Sequence, residues 1–176
     1  MAATLDGGPR HPGRGPLHWA HDLFPPDRRL PAHSVGAPPP YPVHLIERVQ
    51  MPDGTDLVIR PIQPEDAQMV QNFVRGLSEQ TKYYRYMQAI KELTPEMLVR
   101  FTQIDYDREM ALIGVKEGGD GDEMAGVARY SSHPGGETCE FAIVVSDSWR
   151  DRGIGARLMR SLMQNARDRG FRNMDG

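Results

Sequence analysis

The chain has 176 residues, a formal net charge of −3, 39% hydrophobic and 26% charged residues, and one cysteine. That length holds one domain with its own core, and the slight acidity excludes the marked Lys and Arg excess of a nucleic-acid binder, so no nucleic-acid partner is expected. Cys139 forms no internal disulfide, which points to a reducing, cytoplasmic setting, and the longest candidate apolar run, Phe141 to Val145, is far below the roughly 20 residues of a membrane helix.

Residues 1 to 41 contain nine prolines, five glycines and four histidines without periodicity. Such a segment buries too little apolar area to offset the entropy of ordering it and is expected to be disordered, with no continuous apolar stretch for a secretory signal. His11, His18, His21 and His33 are irregularly spaced among prolines and read as solvated histidines, so no metal is expected. Trp19 and Phe24 read as ordinary residues of this segment, the alternative being an anchor for a partner.

A folded domain is expected over residues 42–176. Val43 to Val49 and Leu57 to Arg60 flank Pro52-Asp53-Gly54, and Asp-Gly supplies the conformation of a hairpin turn. Pro64-Glu65-Asp66 opens a helix, with Met69, Val70, Phe73, Val74 and Leu77 as its buried stripe. Tyr83-Tyr84-Arg85-Tyr86 follows, either packing a helix or lining a protein-binding surface. Thr94-Pro95-Glu96 starts a second helix carrying Met97, Leu98 and Phe101. Ala111 to Val115 and Met124 to Tyr130 read as strands joined by the acidic loop from Glu117 to Glu123, which lacks the twelve-position ligand pattern of a calcium loop.

After a turn at His133-Pro134-Gly135-Gly136, the run from Phe141 to Val145 reads as a buried strand. Alternation puts Glu140, Ala142 and Val144 on one face, and Cys139, Phe141 and Ile143 on the other. Ile154, Leu158, Leu162 and Ala166 then recur every four residues, with Met159 and Met163 beside them, as an amphipathic helix stopped by Gly170, and a further strand begins at Phe171. The fold class expected is α+β.

The loop before that helix carries the chemistry. The first N–H groups of a helix have no internal partner and lie at its positive end, so they hold anions. Gly153 and Gly155 let a phosphate approach the backbone, and Arg150 and Arg152 add positive charge, although Arg150 has the alternative of a surface ion pair with Asp147 or Asp151. A P-loop needs Lys and Ser/Thr after its last glycine, where Ala156-Arg157 stands. A dinucleotide turn needs a third glycine where Leu158 stands. Neither nucleotide motif fits.

What remains is Arg-x-x-Gly-x-Gly/Ala, and Arg150 to Ala156 resembles the acyl-CoA pyrophosphate loop of the GNAT superfamily of N-acetyltransferases. Ile90-Lys91-Glu92-Leu93-Thr94 and the block from Phe101 to Ala111 resemble bacterial protein lysine acetyltransferases, whose GNAT domain is often fused behind an NDP-forming acyl-CoA synthetase module. The resemblance covers roughly Pro42 to Gly176. It implies a mixed, mostly antiparallel sheet flanked by helices, ending here within the family's fifth strand. It implies acetyl-CoA as co-substrate, with its pyrophosphate on Arg150, Arg152, Gly153, Ile154, Gly155, Ala156 and Arg157, and its carbonyl polarised by the amide of Val145.

The acceptor implied is a protein lysine, such as one on an acyl-CoA synthetase, with no membrane involved. Only about one lysine in two thousand is neutral at pH 7, so a base is needed. The resemblance assigns that task to Glu140, with Glu137 as substitute; otherwise Glu140 is a solvated carboxylate at the strand's end. Tyr83 to Tyr86 would then rim the acceptor groove. The alternative function is a non-catalytic acyl-CoA-binding, regulatory domain or an inactive fragment.

Overall fold

In a computed structural model of the chain, the described residues are 3–4, 40–86, 92–119, 121–133 and 137–176, with backbone alone for 3–4 and 83–86. Most of the Pro/Gly-rich start, the side chains of Tyr83 to Tyr86, Ile90-Lys91, Asp120 and the turn at 134–136 lie outside them.

Among the described residues, seven strands form one sheet: β1 Ala3–Thr4, β2 Glu47–Gln50, β3 Asp56–Pro61, β4 Glu109–Lys116, β5 Glu123–Ser132, β6 Thr138–Val145 and β7 Asn173–Asp175. Their order is β1-β7-β6-β5-β4-β3-β2, antiparallel throughout except for the parallel pair β6–β7. The α-helices of the described residues flank it: α1 Ala67–Gly76, α2 Glu79–Tyr86, α3 Pro95–Thr102 and α4 Ile154–Asp168. This is the α+β class expected.

Local sequence explains most of these elements. The hairpin turns where Gly54 donates to the Met51 carbonyl and Asp53 Oδ1 accepts from the Thr55 amide. At α3, Thr94 caps the helix by accepting from Met97 N–H, and Pro95 needs no donor there. Ahead of α1, a short 3-10 turn over Pro64–Asp66 is closed by a capping box between Gln63 and Asp66. One expectation fails. Val43–Leu45 is a 3-10 turn and β2 starts only at Glu47, because Leu45 and Ile46 donate back to Pro42 and Val43 while Tyr41 anchors the entry by donating to the Pro61 carbonyl.

The sheet separates two layers. On one face, Val127 and Arg129 of β5 and Val144 of β6 enclose a small cavity with Val70, Phe73 and Val74 of α1 and Phe101 of α3. On the other face lies α4, whose buried residues Ile154, Leu158, Leu162 and Ala166 are the stripe read from the sequence. Its approach is set by two glycines paired across β4 and β5, Gly114 and Gly126. A Cβ on Gly114 would stand 2.9 Å from Ile154 Cδ1, and one on Gly126 would stand 3.0 Å from the Val144 carbonyl and 3.2 Å from Leu158 Cδ1. The first two turns of α4 therefore sink into a dent in the sheet. At the far end, Tyr130 donates to Asn165 Oδ1 at 2.7 Å and stacks edge-on against Phe171. Among the described residues, no helix is long and apolar enough to cross a membrane.

Leu158 is fully buried in that dent. Leu158→Ala is expected to destabilise the fold by about 3 kcal/mol in urea denaturation, the cost of a core cavity; a loss under about 1 kcal/mol would contradict the packing described.

Candidate functional site

The site is built along β6 and the loop that joins it to α4. Ser146 donates its N–H to the Ala125 carbonyl across β5. Because an antiparallel ladder alternates, the amides of Val145 and Ile143 must point away from β5, towards the edge where β7 runs. β7 is in register only with Thr138, Cys139 and Glu140, and Gly176 lies beside the Phe141 carbonyl. Ile143 and Val145 lie beyond that pairing, with their amides on the β7 side of β6.

The loop turns sharply next. Trp149 is buried and donates its indole N–H to Glu123 Oε1 at 2.9 Å, which ties the 3-10 turn Asp147–Trp149 to β5. Asp151 (φ 60) and Gly153 (φ 85) both adopt left-handed backbone, and α4 begins. Its first turn carries no acidic residue, Gly153 gives no side-chain cap, and the first helical bond across this end runs from Arg157 N–H to the Gly153 carbonyl. The amides of Ile154, Gly155 and Ala156 precede that bond, as a bound anion requires. Gly155 is packed against β6: a Cβ there would lie 3.4 Å from Val145 Cγ2 and 3.6 Å from Ile143 Cδ1. The helix start and the strand edge are thereby one surface.

The arginines expected here are present but engaged. Arg150 pairs with Asp147 at 2.9 Å and donates to Thr81 Oγ1 at 2.6 Å, the ion pair that the sequence left open as its alternative role. Arg152 lies over the Trp149 ring at 4.9 Å and 3.5 Å from Asp53. Arg150 and Arg152 are 53% and 45% exposed, and such surface pairs are worth about 0–1 kcal/mol, so an arriving phosphate competes for both. Arg157 differs. It is turned onto Glu47 of β2, which also accepts from Ser161, and its buried Nε has no hydrogen-bond partner. Of the predicted phosphate ligands it is the least available.

Asp147 joins the loop to α2. Its carboxylate accepts from the Ser78 amide at 2.8 Å and from the Ser78 hydroxyl at 3.3 Å. The Ser78 backbone N–H, and after it the Arg150 charge, hold its carboxyl below the usual carboxylate range.

The two candidate carboxylates part company. Glu140 lies inside β6 rather than ahead of it, 7% exposed, on the face covered by α1 and α3. It is not a solvated strand end. Glu137 is 69% exposed in the turn before β6, 4.0 Å from Arg172. Cys139 is fully buried on the α4 face, and burial pushes its thiol up to about 12, which removes it as a nucleophile. Glu140 and Val145 are five residues apart, about 17 Å along a strand, so one reacting centre cannot touch both. The amide of Ile143 points the same way only about 10 Å from Glu140, a donor that required the ladder to find.

Comparison with known proteins gives the family and the fold. Residues 76–175 match the family described as Acetyltransferase (GNAT) family. The chain is 36% identical over 132 residues to acetyltransferase PA5475 of Pseudomonas aeruginosa, covering 74% of this chain and 69% of that protein. It is 28% identical over 118 residues to acetyltransferase Pat of Mycolicibacterium smegmatis, and that match spans about a third (35%) of Pat. Among solved structures, the GNAT domain of S. lividans PAT superposes with a TM-score of 0.70 at 29% identity, covering 77% of this chain and 79% of that one.

The depressed Asp147 carboxyl gives a pH signature. Its contribution is present above the unfolded value of about 3.9 and lost as pH falls through the lower folded value. The melting-temperature difference between wild type and Asp147→Asn should be constant above about pH 5 and shrink below about pH 4; a difference unchanged down to pH 3 would contradict the contact.

Proposed function

The chain belongs to the GNAT acetyltransferase family, and on that premise we propose that it is an acetyl-CoA-dependent N-acetyltransferase that acts on protein lysine side chains. The observation that carries this reading is the continuous row of backbone donors from the start of α4 to the edge of β6, which ends near a buried carboxylate. The amides of Ile154, Gly155 and Ala156, with Arg150 and Arg152 released from their surface partners, hold the diphosphate. Arg157 adjoins it. The pantetheine arm follows the β6 edge past Val145, and the amide of Ile143 polarises the thioester carbonyl as its oxygen gains charge.

Glu140 takes a proton from the acceptor ammonium, directly or through one water. The freed amine attacks the carbonyl carbon, and collapse of the adduct breaks the C–S bond and expels the coenzyme A thiolate, which takes up the proton that the adduct's nitrogen loses as the amide forms. A base in this position contributes roughly 10²- to 10⁴-fold. Support for a lysine acceptor comes from the resemblance of the blocks at 90–94 and 101–111 to lysine acetyltransferases, and an acyl-CoA synthetase is the partner class it suggests. The lone cysteine favours a cytoplasmic setting.

Two substitutions test the two ends of the site. Glu140→Gln should leave acetyl-CoA affinity unchanged in calorimetry and lower kcat about 10²- to 10⁴-fold. Intact binding with no turnover in either form would make the domain an acyl-CoA-binding module instead. Gly155→Asp places a side chain and a negative charge against Val145 and the diphosphate. It should weaken acetyl-CoA binding at least about tenfold, or 1.4 kcal/mol, and unchanged affinity would overturn the phosphate assignment.

A further inference from the structure

We propose that Asp147 and Thr81 form a tether on Arg150 that the diphosphate of acetyl-CoA displaces, so that binding at the loop is felt at the start of α2. This rests on the reading of Arg150 as a diphosphate ligand. Arg150 Nη2 donates to Thr81 Oγ1 at 2.6 Å and lies 2.9 Å from Asp147 Oδ1. A single nitrogen thereby joins the loop to a helix residue 69 positions away in the chain.

The surrounding bonds hold both acceptors in place. Asp147 Oδ2 accepts from the Ser78 N–H at 2.8 Å, and Oδ1 lies 3.3 Å from Ser78 Oγ and 3.5 Å from Thr81 Oγ1. Ser78 Oγ is 2.9 Å from Thr81 Oγ1 and accepts from the Thr81 N–H at 3.3 Å. Leu77, between α1 and this cluster, is 3% exposed and fastens it to the core. The Ser78 N–H is a larger hold on the Asp147 carboxylate than the Arg150 charge is. Asp147 therefore stays on α2 when Arg150 leaves, and the tie that changes is the one Arg150 makes.

Donor count makes the tether and the ligand competitors. Nη2 of a guanidinium carries two protons, and here they face Thr81 and Asp147. A bidentate grip on phosphate through Nη2 requires those contacts to break. Asp147 also repels the arriving phosphate by its charge, whereas Thr81 is neutral and acts through Arg150 alone. The helix that Thr81 belongs to runs on to Tyr83–Tyr86, the stretch that on one sequence reading rims the acceptor groove. Coupling of this kind is reciprocal, so whatever holds Thr81 on Arg150 lowers acetyl-CoA affinity by the same factor.

The test measures acetyl-CoA affinity by calorimetry on the full chain. Thr81→Val keeps the shape and removes the hydroxyl, Thr81→Ser keeps the hydroxyl, and Asp147→Asn is read beside Asp151→Asn as a control for net charge. Contacts between exposed groups restrain by up to about fivefold, so Thr81→Val should tighten binding about two- to fivefold and Thr81→Ser should match the wild type. Asp147→Asn should tighten it more than Asp151→Asn does. The second readout is the methyl and amide NMR signals of Thr81. Saturating acetyl-CoA should move them, in the wild type, to where they already stand in Arg150→Met, and should leave them unmoved in that variant. Equal or weaker binding in Thr81→Val, a gain in Asp147→Asn no larger than the control's, or a Thr81 signal blind to acetyl-CoA in the wild type overturns the tether. Unchanged affinity in Arg150→Met removes Arg150 as a diphosphate ligand and the tether with it; weakened affinity there beside unchanged affinity in Thr81→Val sinks the tether alone.

Discussion

The close approach of α4 to the sheet is the constraint on which the rest depends. Two facing glycines, Gly114 and Gly126, leave the room that Ile154 and Leu158 fill: a Cβ at either would meet them at 2.9 and 3.2 Å, and one on Gly126 would also stand 3.0 Å from the Val144 carbonyl. Because those two side chains sink, the first turn of α4 comes against β6, where Gly155 meets Val145 and Ile143. A helix start elsewhere on the sheet would still bind an anion. Only here does it continue into the outward amides of β6, so that one extended ligand can be held by its phosphate at one end and polarised at the other.

The two ends of this track use charge differently. At the loop, Arg150 and Arg152 are about half exposed and rest on Asp147 and Asp53 in pairs worth about 0–1 kcal/mol. A hydrogen bond to a charged phosphate is worth about 1.5–3 kcal/mol, enough for the proposed diphosphate to win the exchange. At the other end, Glu140 is buried at 7% exposure, and the nearby pair Arg100–Glu109, at 2.7 Å, is half-buried. Exchangeable charge suits the proposed ligand, which comes and goes, and a buried setting suits the proposed base, whose place in the strand is fixed.

Much of this was legible in the sequence. The four-residue spacing from Ile154 to Ala166 named the buried face of α4, and Arg150 to Ala156 named the loop. The run from Phe141 to Val145 marked β6 but understated it, because the polar residues Thr138 and Glu140 continue the strand while only their face decides their burial. Val43 misled, since an apolar residue after a proline looks the same in a strand and in a 3-10 turn. Gly114 and Gly126 went unread, although an isolated glycine within a strand is a known sign of close backbone approach. The burial of Glu140 depends on which face of the sheet it occupies, and the outward amide of Ile143 on the parity of a ladder, so no local pattern contains them.

The most direct measurement of the central claim is an amide nitrogen–proton NMR titration of the full chain with acetyl-CoA. The largest shifts should fall on Gly153 to Ala156 and run onto Ile143 and Val145, in one saturable process. Shifts gathered on another face of the sheet, or none at ligand concentrations that saturate the enzyme, would contradict the account.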